Sequence, residues 1–211
     1  MPERFRNQRP CPLCNHTTYV ALPSPKLSHL WRCAYCDLVS VRRLPAPEEL
    51  HAVYGEAYFR SSRSEESGYE DYERDRYCIV KTAQRRLDTL ERYAGERGRL
   101  LDVGCALGFF ADTARQRGWQ AEGIDISQHA VDYAREHLGL PARKGVLAEA
   151  GYEPEIFDAI TMFDVIEHVL DPVAELRLVR RLLKPGGVVM LSTPDIGSIV
   201  ARITGPRWMG Y

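Results

Sequence analysis

Between residues 99 and 193 the sequence alternates between short apolar runs and longer segments whose apolar residues recur every three or four positions. Short apolar runs are typical of buried strands, and the recurring spacing is typical of amphipathic helices. Strands joined through helices pair in parallel, and a parallel sheet is covered by helices on both faces. We therefore predict an α/β fold with a doubly wound, mostly parallel, Rossmann-like sheet.

The element boundaries follow from local signals. Ser127 is a typical helix N-cap and Gly139 a typical residue just after a helix end. Asp171 and Pro172 open a later helix, and a Lys-Pro-Gly-Gly turn at 184–187 ends it. The predicted strands are 100–103, 119–125, 142–147, 157–163 and 188–193, and a long helix is predicted over 71–94.

Four of the six cysteines form two Cys-x2-Cys pairs separated by 18 residues, namely Cys11 with Cys14 and Cys33 with Cys36. This spacing is typical of sites where four thiolates close a tetrahedral shell around one structural Zn²⁺. A segment of about 40 residues buries too little apolar surface to fold alone, so it needs the metal. We predict a zinc ribbon, with a chance pairing or a redox dithiol as the alternative.

Three regions are predicted: the zinc ribbon at 1–43, a connector and helical arm at 44–97, and the α/β domain at 98–211. The formal net charge is −1, which disfavours a general nucleic-acid binder, although residues 1–43 carry seven basic and two acidic side chains. No apolar run approaches the ~18 residues of a membrane span, and no export signal is visible. We expect a cytoplasmic protein that does not enter a membrane.

The loop after the first strand of the α/β domain carries the chemistry. The strand ends near Asp102, and Gly104, Ala106 and Gly108 then permit a tight turn and the close approach of a ligand. The G-x-G-x-x-G spacing of nicotinamide sites is absent, which makes a dehydrogenase the least favoured enzyme. An acid at this strand end suits a cationic group, such as the amino group and sulfonium of S-adenosylmethionine (SAM), although Asp102 could also cap the turn.

The segment LLDVGCALGFF resembles the first motif of class I SAM-dependent methyltransferases, D-x-G-x-G-x-G, with Ala106 in place of the middle glycine. Asp125 follows Gly104 by 21 residues, where a carboxylate can accept both ribose hydroxyls. Segments 157–172 and 182–195 are similar to the fourth-strand and fifth-strand motifs of that family. The N-terminal cysteines and the segments that follow them resemble a bacterial subgroup linked to glycan or small-metabolite modification.

The resemblance implies a set of cofactor-binding residues. Phe163 is expected at the point where the strand order reverses, where ligands of open α/β sheets bind. Val146 and Leu147 are expected beside the adenine, with ordinary core packing as the alternative. The complete predicted set is Asp102, Gly104, Cys105, Ala106, Gly108, Asp125, Ile126, Val146, Leu147 and Phe163.

Glu167 and His168 form the candidate acid–base pair, because they follow the fourth strand and histidine is the side chain most often used in general acid–base catalysis. Alternatively, His168 packs under the cofactor or bonds a backbone carbonyl. The expected reaction is methyl transfer to a hydroxyl or acidic carbon of a small molecule or sugar derivative. The alternatives are an RNA or protein methyltransferase that holds its acceptor with the basic ribbon, and a cofactor-binding module without catalysis.

The family's sheet has seven strands in the order 3-2-1-4-5-7-6, whereas this sequence ends at Tyr211, soon after strand five. Strand five would then be an apolar edge without a lysine to discourage pairing. We expect the 211 residues to be a piece of a longer polypeptide, or another chain, such as a second copy, to complete the edge.

Overall fold

The computed structural model describes residues 4–6, 9–22, 27–41, 43 and 75–205. In these ranges the strands form one four-stranded and one five-stranded sheet. Residues 44–74, which hold most of the predicted connector and the first residues of the helix predicted at 71–94, lie outside the described residues.

The N-terminal sheet is antiparallel, with strand order β1-β2-β3-β4. The two cysteine pairs have matching backbone turns. Asn15 follows one pair and Asp37 the other, both at positive φ (65° and 60°), a conformation that Asn and Asp tolerate well. The two turns therefore present their sulfurs in the same way. The strand bounds are β1 Arg4–Arg6, β2 Thr18–Ala21, β3 Leu30–Cys33 and β4 Val39–Val41.

The second sheet is parallel throughout, with strand order β7-β6-β5-β8-β9. This arrangement confirms the predicted α/β, Rossmann-like class. Its strands are β5 Arg99–Val103, β6 Gln120–Asp125, β7 Ala142–Lys144, β8 Phe157–Phe163 and β9 Leu183–Ser192. The helices are α1 Arg76–Ala94, α2 Phe109–Gln116, α3 Gln128–Leu138, α4 Pro172–Leu182 and α5 Ile199–Thr204.

Successive residues of β5 point to opposite faces of the sheet, and each face has its own core. Leu100 packs with residues of α1, α2 and α3, including Leu87 of α1, whereas Leu101 packs with residues of α4, including Leu182. Leu87, Leu100 and Leu101 are fully buried. Helix α1 therefore belongs to the same packed core as the strands.

The caps predicted at Ser127 and Asp171 are present, since each side chain accepts a backbone N–H of its helix. The predicted start of the fifth strand is wrong. Helix α4 ends at Leu182 and β9 begins at once at Leu183, because residues 184–187 bulge out of the ladder between Phe157 and Ala159 of β8. The turn residues thus interrupt a strand instead of preceding it.

The third predicted strand is shorter than expected, because Gly145 leaves the ladder at φ 139° and a 3₁₀ turn, Leu147–Glu149, follows. In the residues that the structure describes, β9 is an edge of the parallel sheet. No helix within those ranges has the length and apolar character that crossing a bilayer requires.

Candidate functional site

The order of the strands reverses between β5 and β8, which are neighbours in the sheet although β6 and β7 lie between them in the chain. Helices on the two sides of such a point diverge, so a crevice opens beyond the carboxyl ends of the strands. The ends of β5, β6 and β8 place the 104–108 loop, Asp125 and Phe163 at this crevice. Candidate cofactor-binding residues that are far apart in the sequence therefore lie at the same edge of the sheet.

The loop between β5 and α2 turns through three residues with positive φ: Gly104 at 67°, Ala106 at 48° and Gly108 at 86°. A Cβ on Gly104 would overlap Val165, and the positive φ of Gly108 would strain any other residue there. Ala106 adopts the left-handed conformation that glycine adopts more easily, at a cost of ~1–2 kcal/mol. The loop therefore keeps a glycine-type path despite its extra methyl group.

Asp125 fastens this loop to the start of α3. Its Oδ2 accepts a hydrogen bond from the Ala106 backbone N–H, and its Oδ1 accepts one from the Ser127 N–H, both at 2.8 Å. Burial raises the pKa of Asp125, and these N–H groups oppose that rise. Each carboxylate oxygen keeps a further lone pair for a ligand hydroxyl.

Asp102 lies beneath the loop and is only 3% exposed. The Thr161 hydroxyl donates a hydrogen bond to its Oδ1 at 2.6 Å. Burial raises the pKa of Asp102 to about 7; Thr161 lowers it, the Asp125 charge raises it and Arg86 lowers it. A carboxyl group in this environment is a strong candidate for a functional residue.

Arg86 of α1 lies against Phe163, a contact that the sequence did not predict. Its guanidinium lies 3.9 Å from the ring centroid of Phe163 and donates a hydrogen bond to the Ser192 hydroxyl at 3.3 Å. Phe163 also packs edge-on against Phe110 at 4.8 Å. Helix α1 carries several arginines at its polar positions, so no sequence signal distinguishes Arg86 from the others.

Other electrostatic contacts hold α1, and with it Arg86, in place. The Glu91 carboxylate accepts hydrogen bonds from Arg97, Arg117 and the indole N–H of Trp119. The Arg97 hydrogen bond is the main reason why the pKa of Glu91 is lowered. Leu87 and Leu90 of the same helix are buried in the core.

The remaining predicted cofactor-binding residues differ in how far their side chains are buried. Leu147 is 3% exposed and packs with Val103 and Ile124 in the core, whereas Val146 is 41% exposed. Ile126, directly after Asp125, is half-buried. Cys105 is buried beneath the loop, and burial raises the pKa of its thiol well above the usual value. The structure thus places the Leu147 side chain among core residues.

Glu167 and His168 are exposed on a 3₁₀ turn, Ile166–His168, that directly follows the carboxyl end of β8. The backbone N–H of His168 bonds the carbonyl of Val165 at 2.9 Å, which closes this turn. Before it, Asp164 has a φ of 56° and accepts a hydrogen bond from the Ser192 hydroxyl. The pair therefore lies on the side of the crevice that is formed by β8.

The four ribbon cysteines converge, with all four Sγ atoms within 4.8 Å of one another. The Sγ atoms of Cys11 and Cys36 are 3.6 Å apart, and those of Cys14 and Cys33 are 3.4 Å apart. Tetrahedral Zn²⁺ with Zn–S bonds of ~2.3 Å requires S–S separations of about 3.8 Å. The sulfur cluster therefore fits a four-thiolate metal site.

Curated proteins show similarity to about half of the chain. Over 119 residues it is 40% identical to a ubiquinone biosynthesis O-methyltransferase of Neisseria meningitidis serogroup C, covering 51% of this chain and 49% of the relative. A protein of the same name from Chromobacterium violaceum is 38% identical over 115 residues, covering 51% and 50%. The chain thus spans about half the length of these curated relatives.

Solved structures share the fold. The PH0226 protein of Pyrococcus horikoshii OT3 superposes with a TM-score of 0.52 at 26% identity, covering 62% of this chain and 60% of that one. A SAM-dependent methyltransferase of Archaeoglobus fulgidus has a TM-score of 0.53 at 20% identity, over 70% and 60% of the two chains. The family model described as a methyltransferase domain matches residues 71–210. Because this match covers more than half of the chain, the protein belongs to the methyltransferase-domain family.

Proposed function

We propose that the protein transfers a methyl group from SAM to a hydroxyl group of a small molecule. The observation that carries the proposal is the convergence of Asp102, Asp125 and the 104–108 loop at the crevice between β5 and β8. The family match supports the reaction class, and the relatives named as ubiquinone O-methyltransferases support an oxygen acceptor.

Each residue would contact a different part of the methyl donor. Asp125, with lone pairs free on both carboxylate oxygens, would accept the ribose hydroxyls. Asp102 would face the cationic amino group, and Arg86, above Phe163, would pair with the carboxylate. The donor supplies an electrophilic methyl group on a cationic sulfur. The protein's own contribution would be mainly to orient it.

The acceptor hydroxyl must lose its proton during the transfer, so a base at the crevice would assist. Glu167 and His168 are the candidates, because their 3₁₀ turn directly follows β8 and leaves both side chains exposed. In this proposal the His168 imidazole takes the proton, and the Glu167 carboxylate orients the imidazole. An acidic carbon or a sugar hydroxyl would need the same base.

Cofactor binding tests the proposal. We expect Asp125→Ala to weaken SAM binding by ~1–3 kcal/mol, about five- to 150-fold, because hydrogen bonds to a charged acceptor are lost. Asp132→Ala in α3 is the matched control, since Asp132 is partnered by Gln128 at the surface of the helix. Calorimetry measures the SAM affinity of both variants. An Asp125→Ala protein that binds SAM as tightly as the wild type would show that the ribose lies elsewhere.

A turnover assay then distinguishes an enzyme from a cofactor-binding module without catalysis. With small phenols and catechols as acceptors, formation of S-adenosylhomocysteine should depend on the acceptor and fall in His168→Ala. Binding without turnover on any hydroxyl acceptor would favour the module.

We also propose that the cysteine cluster of the ribbon holds one structural Zn²⁺. The support is the close approach of the four sulfurs, which all lie within 4.8 Å of one another. Four thiolates leave no open position on the metal, so its role would be to hold the ribbon together. The test is elemental analysis, where we expect one zinc per chain.

A further inference from the structure

Asp102 and Thr161 are an unusual pair among the buried side chains. In the part of the chain that the structure describes, four polar side chains are buried: Asp102, Thr113, Ser127 and Thr161. Thr113 bonds the Phe109 carbonyl within its own helix, and Ser127 caps α3. Asp102 and Thr161 serve no helix end and no turn. A buried carboxyl group without such a role is costly, which points to function.

The register of the sheet brings the two side chains together. Asp102 of β5 is directly paired with Thr161 of β8, and both residues are in phase with Leu100 and Ala159, which pack toward helices α1 to α3. The Thr161 hydroxyl has two acceptors in reach, Asp102 Oδ1 at 2.6 Å and the Leu101 carbonyl at 3.5 Å. The shorter distance assigns its proton to the carboxylate.

Three charged or titratable groups act on Asp102 from the elements around it: Asp125 at the end of β6, Arg86 of α1 and the Cys105 thiol of the loop. None of them hydrogen-bonds to the carboxylate. Within the described ranges, Thr161 is its hydrogen-bond donor and Oδ2 receives none. The pair therefore fixes one oxygen and leaves the other for a cation.

We propose that Thr161 is a positioning residue, whose hydroxyl holds Asp102 ionised and oriented so that Oδ2 receives the amino group of the methyl donor. This inference rests on the proposed function and names the residue on which its amino-group subsite depends. Without the hydroxyl, the buried carboxyl group loses its donor, so its ionised form becomes less favourable and its pKa rises further. At neutral pH more of Asp102 would then carry a proton, and a neutral carboxyl group attracts an ammonium group less.

The experiment compares SAM binding by calorimetry across pH 6 to 9 in four variants of the full chain. Thr161→Val removes the hydroxyl at nearly constant volume, Thr161→Ser keeps it, and Thr113→Val removes a buried hydroxyl that bonds the Phe109 carbonyl instead of the carboxylate. Asp102→Asn gives the pH dependence that comes from the ligand itself. We expect Thr161→Val to bind about tenfold more weakly at pH 7, because a charge-assisted hydrogen bond is lost.

The loss of SAM affinity in Thr161→Val should shrink as the pH rises, because Asp102 then ionises in this variant as well as in the wild type. Thr161→Ser and Thr113→Val should bind SAM within a factor of about three of the wild type. Equal losses in Thr113→Val, or wild-type binding by Thr161→Val at every pH, would overturn the positioning role and leave SAM binding intact. A wild-type protein that binds no SAM would overturn both proposals. If Thr161→Val does not fold, Thr161→Ala takes its place against Thr161→Ser.

Discussion

The cysteine ribbon and the α/β domain differ in the size of their buried cores. The buried cluster at the cysteines of the ribbon is small and contains Cys11, Cys33 and Tyr19, with the Trp31 ring packed 5.1 Å from that of Tyr19. The α/β domain buries large side chains on both faces of its sheet, including Leu87, Leu100 and Phe157. The apolar area that a structure buries scales with its size, so we expect the smaller unit to depend on the proposed zinc site.

This difference predicts how the stability of each unit should respond to substitutions. The ribbon should lose its structure as a whole when one ligand is removed, because four bonds to one metal would carry most of its stability. The α/β domain should lose stability in steps, because its contacts are many and individually small. The variants below test this contrast.

The largest effect is expected for Cys33→Ser. The loss of one of four thiolates should unfold the cysteine ribbon, because structural zinc contributes about 10–16 kcal/mol of apparent binding energy to small zinc domains. Amide NMR spectra and zinc content measure the effect, and the signals of the α/β domain should stay in place. Cys78→Ser is the control, since Cys78 is exposed and outside the cluster. A ribbon that stays folded without zinc contradicts the metal's role.

A truncated core side chain in α1 should lower the stability of the α/β domain and leave the ribbon unchanged. We expect Leu87→Ala to lower the free energy of unfolding of the α/β domain by ~2–5 kcal/mol, because it removes a fully buried side chain. Urea denaturation followed by far-UV circular dichroism measures the change, and zinc content should not change. Tyr93→Ala, at a 75% exposed position of the same helix, should cost less than about 0.5 kcal/mol. Equal losses in the two variants would mean that α1 does not join this core.

Asp102 gives the α/β domain a pH dependence that comes from one buried carboxyl group. Its pKa is raised to about 7 by burial, above the ~3.9 of an unfolded chain, so the folded state binds the proton more tightly. Stability contributed by this group is then lost as the pH rises from about 4 to about 7, by about 1.4 kcal/mol for each unit. The difference between wild type and Asp102→Asn in thermal unfolding at several pH values measures it. A difference that stays constant with pH would contradict the raised pKa.

The smallest effect concerns the loop. Ala106→Gly should stabilise the α/β domain by about 0.5–1 kcal/mol, since it removes the strain of a φ of 48° but adds freedom to the unfolded chain. Ala111→Gly, inside helix α2, should instead lose about 1 kcal/mol or more. Urea midpoints of the two variants should therefore move in opposite directions. A loss of stability in Ala106→Gly would show that the loop holds no strain.

The sequence by itself was enough for the fold class, for the bounds of β8 and for the ends of α3, because these depend on local apolar patterns and on cap residues. The cysteine cluster was equally accessible, since its spacing is a local pattern. Asn15 and Asp37 carried a further signal that could have been used, because both residue types tolerate the positive φ of the turns that shape the cluster.

Tertiary structure alone decided the rest. The bulge that starts β9 at Leu183 depends on its pairing with β8, and Leu147 lies in the core only because of how the 3₁₀ turn packs. The contacts of Arg86 with Phe163 and of Thr161 with Asp102 join residues that are 77 and 59 positions apart. A local pattern holds no information on such partners, because their side chains meet only after the strands have taken their register and α1 has packed on the sheet.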